Sequence, residues 1–227
     1  MFKTILVGCG LIAQVKHLPA IQTLRNEIQL VGVCDTNASL AKQLATQYKI
    51  PQTYASLTEA LSAEQPDLVI LCTPPQTHKA LSLEALEGGA HLFLEKPMAL
   101  TVAEATAIIE AAKRNKKEVC VAFSQTFTPV VQQAKQLLVR DLIGPLVGMQ
   151  IFLSTPTDYM TNKPKHWVHR LPSGVLSETG PHVVHMTMQF LGKIRETQIR
   201  AFKGEAHSWS LPKTSGFFCL QNKETVP

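Results

Sequence analysis

Residues 5–13 read Ile5-Leu6-Val7-Gly8-Cys9-Gly10-Leu11-Ile12-Ala13. A short apolar run ends on a glycine, a second glycine follows two residues on, and the chain then opens a helix. Gly8 permits a tight turn, Gly10 lets another group approach the backbone, and Ala13 is small enough for helix and strand to pack closely. The stretch therefore predicts a first strand feeding directly into a helix.

The same kind of run recurs down the chain. Leu30–Cys34 ends in Asp35, Leu68–Cys72 ends in Thr73-Pro74-Pro75, Leu92–Leu94 ends in Glu95-Lys96-Pro97, and Val119–Phe123 closes the set. These runs show little alternation, as strands buried on both faces do. Between them lie segments of helical spacing. Residues 37–48 start with an Asn or Ser cap and place Leu40, Leu44 and Tyr48 on one face. Residues 77–87 place Ala80, Leu83 and Leu86 likewise, and 101–113 open on a Thr101/Glu104 capping box. Strand and helix alternate about six times, which predicts a doubly wound parallel sheet with helices on both faces. Right-handed crossovers bring all carboxyl ends of the strands to one edge, where ligands of open α/β sheets bind. The residues at those ends are Gly8, Asp35, Thr73 and Glu95.

The pattern changes after Phe123. Residues 129–139 read as a helix, Leu146–Thr155 as a longer alternating strand, 156–172 as a loop, 175–191 as helical in part, and Ile194–Phe202 as alternating again. The reading is a nucleotide-binding α/β domain over 1–122 and a smaller α+β domain, an antiparallel sheet with a helix on one face, over 123–227.

Composition narrows the classes. The chain has 227 residues, 45% apolar and 17% charged, so it is neither fibrous nor disordered. No run approaches the ~20 apolar residues of a membrane span, and MFKTILVGCG lacks the apolar core of a signal peptide. The net charge of +5 falls wholly in residues 121–227, which hold 11 basic and 6 acidic side chains. Those cations are scattered, so no nucleic-acid partner is expected. Five cysteines without a CxxC pair, three of them inside apolar runs, point to a reducing, cytoplasmic setting.

In its strand–turn–helix context, Gly8-Cys-Gly10-Leu-Ile-Ala13 reads as a dinucleotide fingerprint, with the pyrophosphate facing the helix N-terminus. Asp35, at the end of the second strand, would take the adenosine ribose hydroxyls. Thr36 and Asn37 follow it, so a 2′-phosphate would meet a carboxylate without a cation, and NAD is favoured over NADP.

GCGLIA (8–13), HLPA (17–20), VCD (33–35), TPPQTH (73–78) and EKP (95–97) together resemble the glucose–fructose oxidoreductase / inositol dehydrogenase family (Gfo/Idh/MocA). DLIGPL (141–146) and PSGVLSETGPHVVHMTMQFLG (172–192) are similar to its second domain, so the resemblance runs from Phe2 to about Phe202. It implies a Rossmann domain that binds NAD through Gly8, Gly10, Leu11, Ile12, Asp35, Thr73, Pro74, His78, Glu95 and Lys96. It also implies a cis Lys96–Pro97 bond and a Lys96 aimed at the nicotinamide and substrate. Family members run on well past residue 227, so the second-domain sheet is expected to be incomplete, and SGFFCLQNKETVP (215–227) has no good match.

Hydride removal from a secondary alcohol needs a base for the hydroxyl proton and a cation or donor near the developing charge. The resemblance gives the second role to Lys96 and the first to His182, with Glu178, one helical turn away, binding substrate or steering the imidazole. Alternatively His182 caps a helix starting at Pro181, and Glu178 is solvated. Glu95 is expected to orient backbone or Lys96. His78 either contacts the nicotinamide ribose region or caps its helix. His185 could pack in the core. His166 and Trp167 would wall the pocket, or Trp167 would simply pack, and no metal site is expected. The loop Ser124-Gln125-Thr126-Phe127 lacks the arginine usual in the family. The expected function is thus an NAD-dependent oxidoreductase acting on a sugar, polyol or cyclitol. The alternative is an inactive NAD-binding remnant or a regulatory or assembly subunit. An open sheet with apolar alternation at Ile151, Leu153, Ile199 and Ala201 suggests a homodimer.

Overall fold

A computed structural model describes residues 1–152, 163–194, 196–202 and 215–221, the last two stretches as backbone only. The chain divides into two compact units, Met1–Ala122 and Phe123–Pro227. Among the described residues, no helix is long and apolar enough to cross a membrane.

The first unit is a doubly wound sheet. Strands β1 (Phe2–Val7), β2 (Ile28–Cys34), β3 (Gln52–Tyr54), β4 (Leu68–Leu71), β5 (His91–Leu94) and β6 (Val119–Val121) lie in the order β3-β2-β1-β4-β5-β6, every pair parallel. The chain order reverses between β1 and β4, and such a reversal opens a crevice at the carboxyl edge. Val7 pairs with Cys34 on one side and Leu71 on the other. The turns after β2, β1, β4 and β5 are therefore neighbours along one edge.

The near-absence of alternation has its expected cause. Ile5, Val7, Val69, Leu71, Leu92 and Leu94 face one side of the sheet. They pack on α3 (Leu57–Glu64), α4 (His78–Glu87) and α5 (Val102–Asn115). Leu6, Val33, Ile70 and Cys72 face the other, against α1 (Leu18–Thr23) and α2 (Ala38–Tyr48). Burying each such side chain stabilises by about 1.5–3 kcal/mol. Caps fix where the helices start: Asn37 accepts the Leu40 amide, and Thr101 accepts the Glu104 amide while Glu104 accepts that of Leu100.

One face needs correction. On α4, Ala80 is exposed, and the buried residues are His78, Ser82, Ala85 and Leu86. An apolar-only pattern misplaces this face because two of its buried members are polar.

The second unit holds α6 (Pro129–Val139), a 3-10 turn at Trp167–Arg170 inside the expected loop, α7 (Val175–Leu191) and an antiparallel pair, β7 (Glu196–Phe202) with β8 (Ser215–Gln221). Strand β8 falls in the stretch without a family match. The strand expected over Leu146–Thr155 is not formed by residues 146–152. A strand needs a ladder partner; this segment pairs with none of the described strands, and Val147 and Phe152 stand 91% and 85% exposed. Residues 153–155 lie outside the described residues.

Candidate functional site

The glycine turn is clamped between two strand ends. Gly8 has φ +91°, a conformation that favours glycine, and its amide donates to the Cys34 carbonyl at 2.8 Å. A Cβ there would stand 2.8 Å from the carbonyl carbon of Cys72 and 2.9 Å from Cγ2 of Thr73. Gly10 is the opposite case: a Cβ would meet nothing within 4 Å, and the residue is exposed. One glycine thus brings the turn against β4 and the other leaves open space over the backbone, which is the room a pyrophosphate needs. Leu11 is exposed and Ile12 half-buried, so what they offer a ligand is the amide end of the helix they open. That helix takes a π turn over Ala13–His17 before continuing as α1, and Ala13 is fully buried.

Asp35 is joined to this turn. Its Oδ2 accepts the Cys9 amide at 2.6 Å and its Oδ1 the Asn37 amide at 2.7 Å. Thr36 and Asn37 beside it are exposed and uncharged. The residues present therefore fit a dinucleotide. The three thiols around the turn are held protonated. Burial first, then the Asp35 charge, pushes Cys9 and Cys34 up to about 12, and burial raises Cys72 likewise.

The next two strand ends carry the TPPQTH and EKP segments. Thr73 is tied to the 3-10 turn Pro75–Thr77 by Thr77 Oγ1, which donates to Thr73 Oγ1 at 2.8 Å; Pro74 is exposed. The Lys96–Pro97 peptide is cis. Glu95 holds its neighbour: Oε2 accepts the Lys96 amide at 3.1 Å. For His78 the expectation is a nicotinamide ribose contact through its loop, or a cap on its helix. Its ring is wholly buried, with Nδ1 2.8 Å from the Pro97 carbonyl and Nε2 2.8 Å from the Thr73 carbonyl. It braces two loops. The structure adds a residue to which no motif or spacing assigns a role. His17 of HLPA meets Glu95 Oε1 at 2.8 Å, 78 residues away, with its ring edge-on to Phe93. Only the HLPA motif itself could have drawn attention to it, since no spacing rule links positions so far apart.

In the second unit, α7 carries Glu178 and His182 one turn apart on one face, both half-buried. Pro181 lies inside this helix, so His182 does not cap a helix that begins there. Pro181 has no N–H to give the Ser177 carbonyl. His185 stacks on Phe123 at 4.0 Å between ring centroids, and His182 meets the same ring edge-on at 6.3 Å. His166 accepts the Val168 amide at Nδ1 and so caps the 3-10 turn; its ring lies 5.1 Å from that of Trp167. Burial pushes both His166 and His185 below the ordinary histidine value. Among the described residues no three His, Cys, Asp or Glu side chains converge as a metal site.

Comparison with known proteins bears on the same elements. Residues 2–123 match the family described as the oxidoreductase family with an NAD-binding Rossmann fold. An oxidoreductase from Formosa agariphila is 27% identical over 195 residues, covering 83% of this chain and 60% of that protein. D-glucoside 3-dehydrogenase from Escherichia coli is 31% identical over 144 residues, covering 63% and 41%. The chain thus spans between about two-fifths and three-fifths of these relatives. The WlbA dehydrogenase of Chromobacterium violaceum, solved with NADH and UDP-GlcNAcA, superposes with a TM-score of 0.81 at 24% identity, over 97% of this chain and 64% of that one. At that identity the likeness speaks for the fold.

Proposed function

The chain belongs to the Gfo/Idh/MocA oxidoreductase family, and on that premise we propose that it is an NAD-dependent dehydrogenase acting on a secondary alcohol of a sugar, polyol or cyclitol. The observation that carries the reading is the carboxyl edge of the first unit, where Gly8–Gly10, Asp35, Thr73 and Lys96 follow strands that are neighbours in the sheet. A bound NAD supplies the hydride acceptor. The amides opening the helix at Gly10, Leu11 and Ile12 face the pyrophosphate, and Asp35 accepts from the adenosine ribose hydroxyls. Thr73 and Pro74 flank the dinucleotide, and Glu95 sets Lys96, which stabilises charge at the substrate oxygen. His182 takes the hydroxyl proton, and Glu178 binds the substrate or steers the imidazole. The carboxylate of Asp35, followed by the uncharged Thr36 and Asn37, supports NAD over NADP. The named relatives support a sugar-like substrate.

The second reading is a cofactor-binding chain without turnover. It is favoured by Ser124-Gln125-Thr126, a 3-10 turn where the family usually carries an arginine. Self-association is part of the proposal too: α6 has no buried residue, and Val130 and Leu137, two turns apart on one face of it, are exposed, an apolar surface that a second copy would cover. Cys9, Cys34, Cys72 and Cys120, unbridged among the described residues, support a reducing cytoplasm.

Titration with NADH and NADPH tests the cofactor reading, which fails if NADPH binds better or neither binds. Turnover on a panel of sugars, polyols and cyclitols, lost in Lys96→Ala, separates the enzyme from the silent binder. Light scattering at micromolar concentration tests the dimer, and a 25 kDa species at every concentration would refute it.

A further inference from the structure

The turn Glu95-Lys96-Pro97 is gripped on both sides of Lys96 by side chains from distant elements. Upstream, Glu95 holds the Lys96 amide with one carboxylate oxygen and His17 with the other. His17 closes the π turn that follows the glycine turn, so this contact links the EKP segment to the first helix. Downstream, His78 reaches the Pro97 carbonyl with one ring nitrogen and the Thr73 carbonyl with the other, both at 2.8 Å.

The His78 contacts carry a chemical requirement. A carbonyl oxygen only accepts, so each contact is a hydrogen bond only when its ring nitrogen bears a proton, and a neutral imidazole bears one. Holding both loops at once takes the imidazolium. Burial opposes that charge and pushes the ring's pKa down. The Thr73, Pro97 and Met98 carbonyls and the nearby Glu95 carboxylate pull it back only in part, and the net shift is downward, so at neutral pH the ring has one proton to give and donates to one of the two carbonyls. A buried ring kept between two carbonyls is a costly way to fill space, since an apolar side chain of like size would need no donors.

We propose that His78 and His17 are positioning residues that together fix the direction of Lys96, His78 by seating its buried ring between the Pro97 and Thr73 carbonyls, and His17 by anchoring Glu95. The inference rests on the reading of Lys96 as the residue aimed at the nicotinamide. Neither histidine needs to touch cofactor or substrate. With either brace removed, the glycine turn and Asp35 still hold the dinucleotide, and what changes is where the lysine amine stands.

The test reads Lys96 directly and needs no substrate. The full chain is acylated with a limiting amine reagent, with and without saturating NADH, and modification of Lys96 is followed by peptide mapping. In the native protein NADH slows Lys96 modification about tenfold or more. In His78→Gln and, separately, His17→Leu, that protection falls below about threefold, while NADH affinity by fluorescence stays within about threefold of native. His17→Leu keeps the test open if the buried His78 site does not tolerate substitution. Full protection in a folded variant of either histidine overturns its role in the brace. Absence of protection in the native chain overturns the reading of Lys96 itself, a distinct result.

Discussion

The Cys9 amide donates to Oδ2 of Asp35 across 2.6 Å, though the two residues are 26 positions apart. With Oδ1 taking the Asn37 amide, this one carboxylate fastens the turn after β1 to the end of β2. Asp35→Ala removes both charged acceptors and the proposed partner of the ribose hydroxyls. Hydrogen bonds to charged groups are worth about 1.5–3 kcal/mol. NADH affinity should therefore fall about tenfold to a hundredfold, with NADPH affected less, so that the two cofactors approach parity. Parallel fluorescence titrations check this, and an unchanged NADH affinity refutes it.

The two glycines of the turn should separate folding from binding. Gly8→Ala forces a Cβ to 2.8 Å from the Cys72 backbone at φ +91°. Neither can relax without moving β4, so the variant should lose several kcal/mol or fail to fold. Gly10→Ala meets nothing within 4 Å, and its melting temperature should match the native within about 1 °C, as expected for a substitution that strains nothing. Its NADH affinity should nonetheless drop at least tenfold, because the methyl occupies the space over the backbone. Calorimetry and titration on the same two proteins decide the matter.

The sheet was legible because its signals are local. Ile5-Leu6-Val7 and Leu68–Leu71 are apolar on every residue since both faces of each strand are covered, and Asn37 and Thr101 cap the helices they begin. Gly8, Asp35, Thr73 and Glu95 could be placed on one edge from topology alone. What escaped was tertiary. The buried face of α4 includes His78 and Ser82, whose polarity hides them from an apolar pattern. His78 could be singled out by its motif, but its two carbonyl partners come from segments that only the fold brings together. The His17–Glu95 contact spans 78 residues and obeys no periodicity. The alternation over 146–152 is real, yet a strand needs a partner as well as a pattern.

The thiols give a test of how tightly the turn is enclosed. Cys9 and Cys34 are pushed up to about 12, mainly by burial, and Cys72 is raised in the same way, whereas Cys120 is exposed. The thiolate is the reacting species. At pH 8 a group titrating near 12 is about one ten-thousandth ionised, since each unit is a factor of ten. Of Cys9, Cys34, Cys72 and Cys120, only Cys120 should therefore react with a maleimide in the native protein, and NADH binding should survive the modification. Peptide mapping after brief labelling checks this. Modification of Cys9 ahead of Cys120 would mean that the turn opens readily.

Three helices end on residues that pay for a left-handed backbone: Lys49 after α2 (φ +55°), Gln65 after α3 (φ +45°) and Lys116 after α5 (φ +54°). Each closes its helix by donating its amide to a carbonyl of the last turn, so the conformation is needed whatever the side chain. For an L-residue it costs roughly 1–2 kcal/mol, and glycine adopts it freely. Against that gain stands the greater freedom of glycine in the unfolded chain, about 0.4–1 kcal/mol. Lys49→Gly, Gln65→Gly and Lys116→Gly should each stabilise the first unit by about 0.5–1 kcal/mol, close to additively because the sites share no partners. Lys113→Gly, three residues earlier and inside α5, should do the reverse and cost about 0.8–1 kcal/mol. Urea midpoints at fixed slope measure all four. Destabilisation at the three caps, of the same sign as Lys113→Gly, would show that the side chains of Lys49, Gln65 and Lys116 contribute more than their backbone strain takes away.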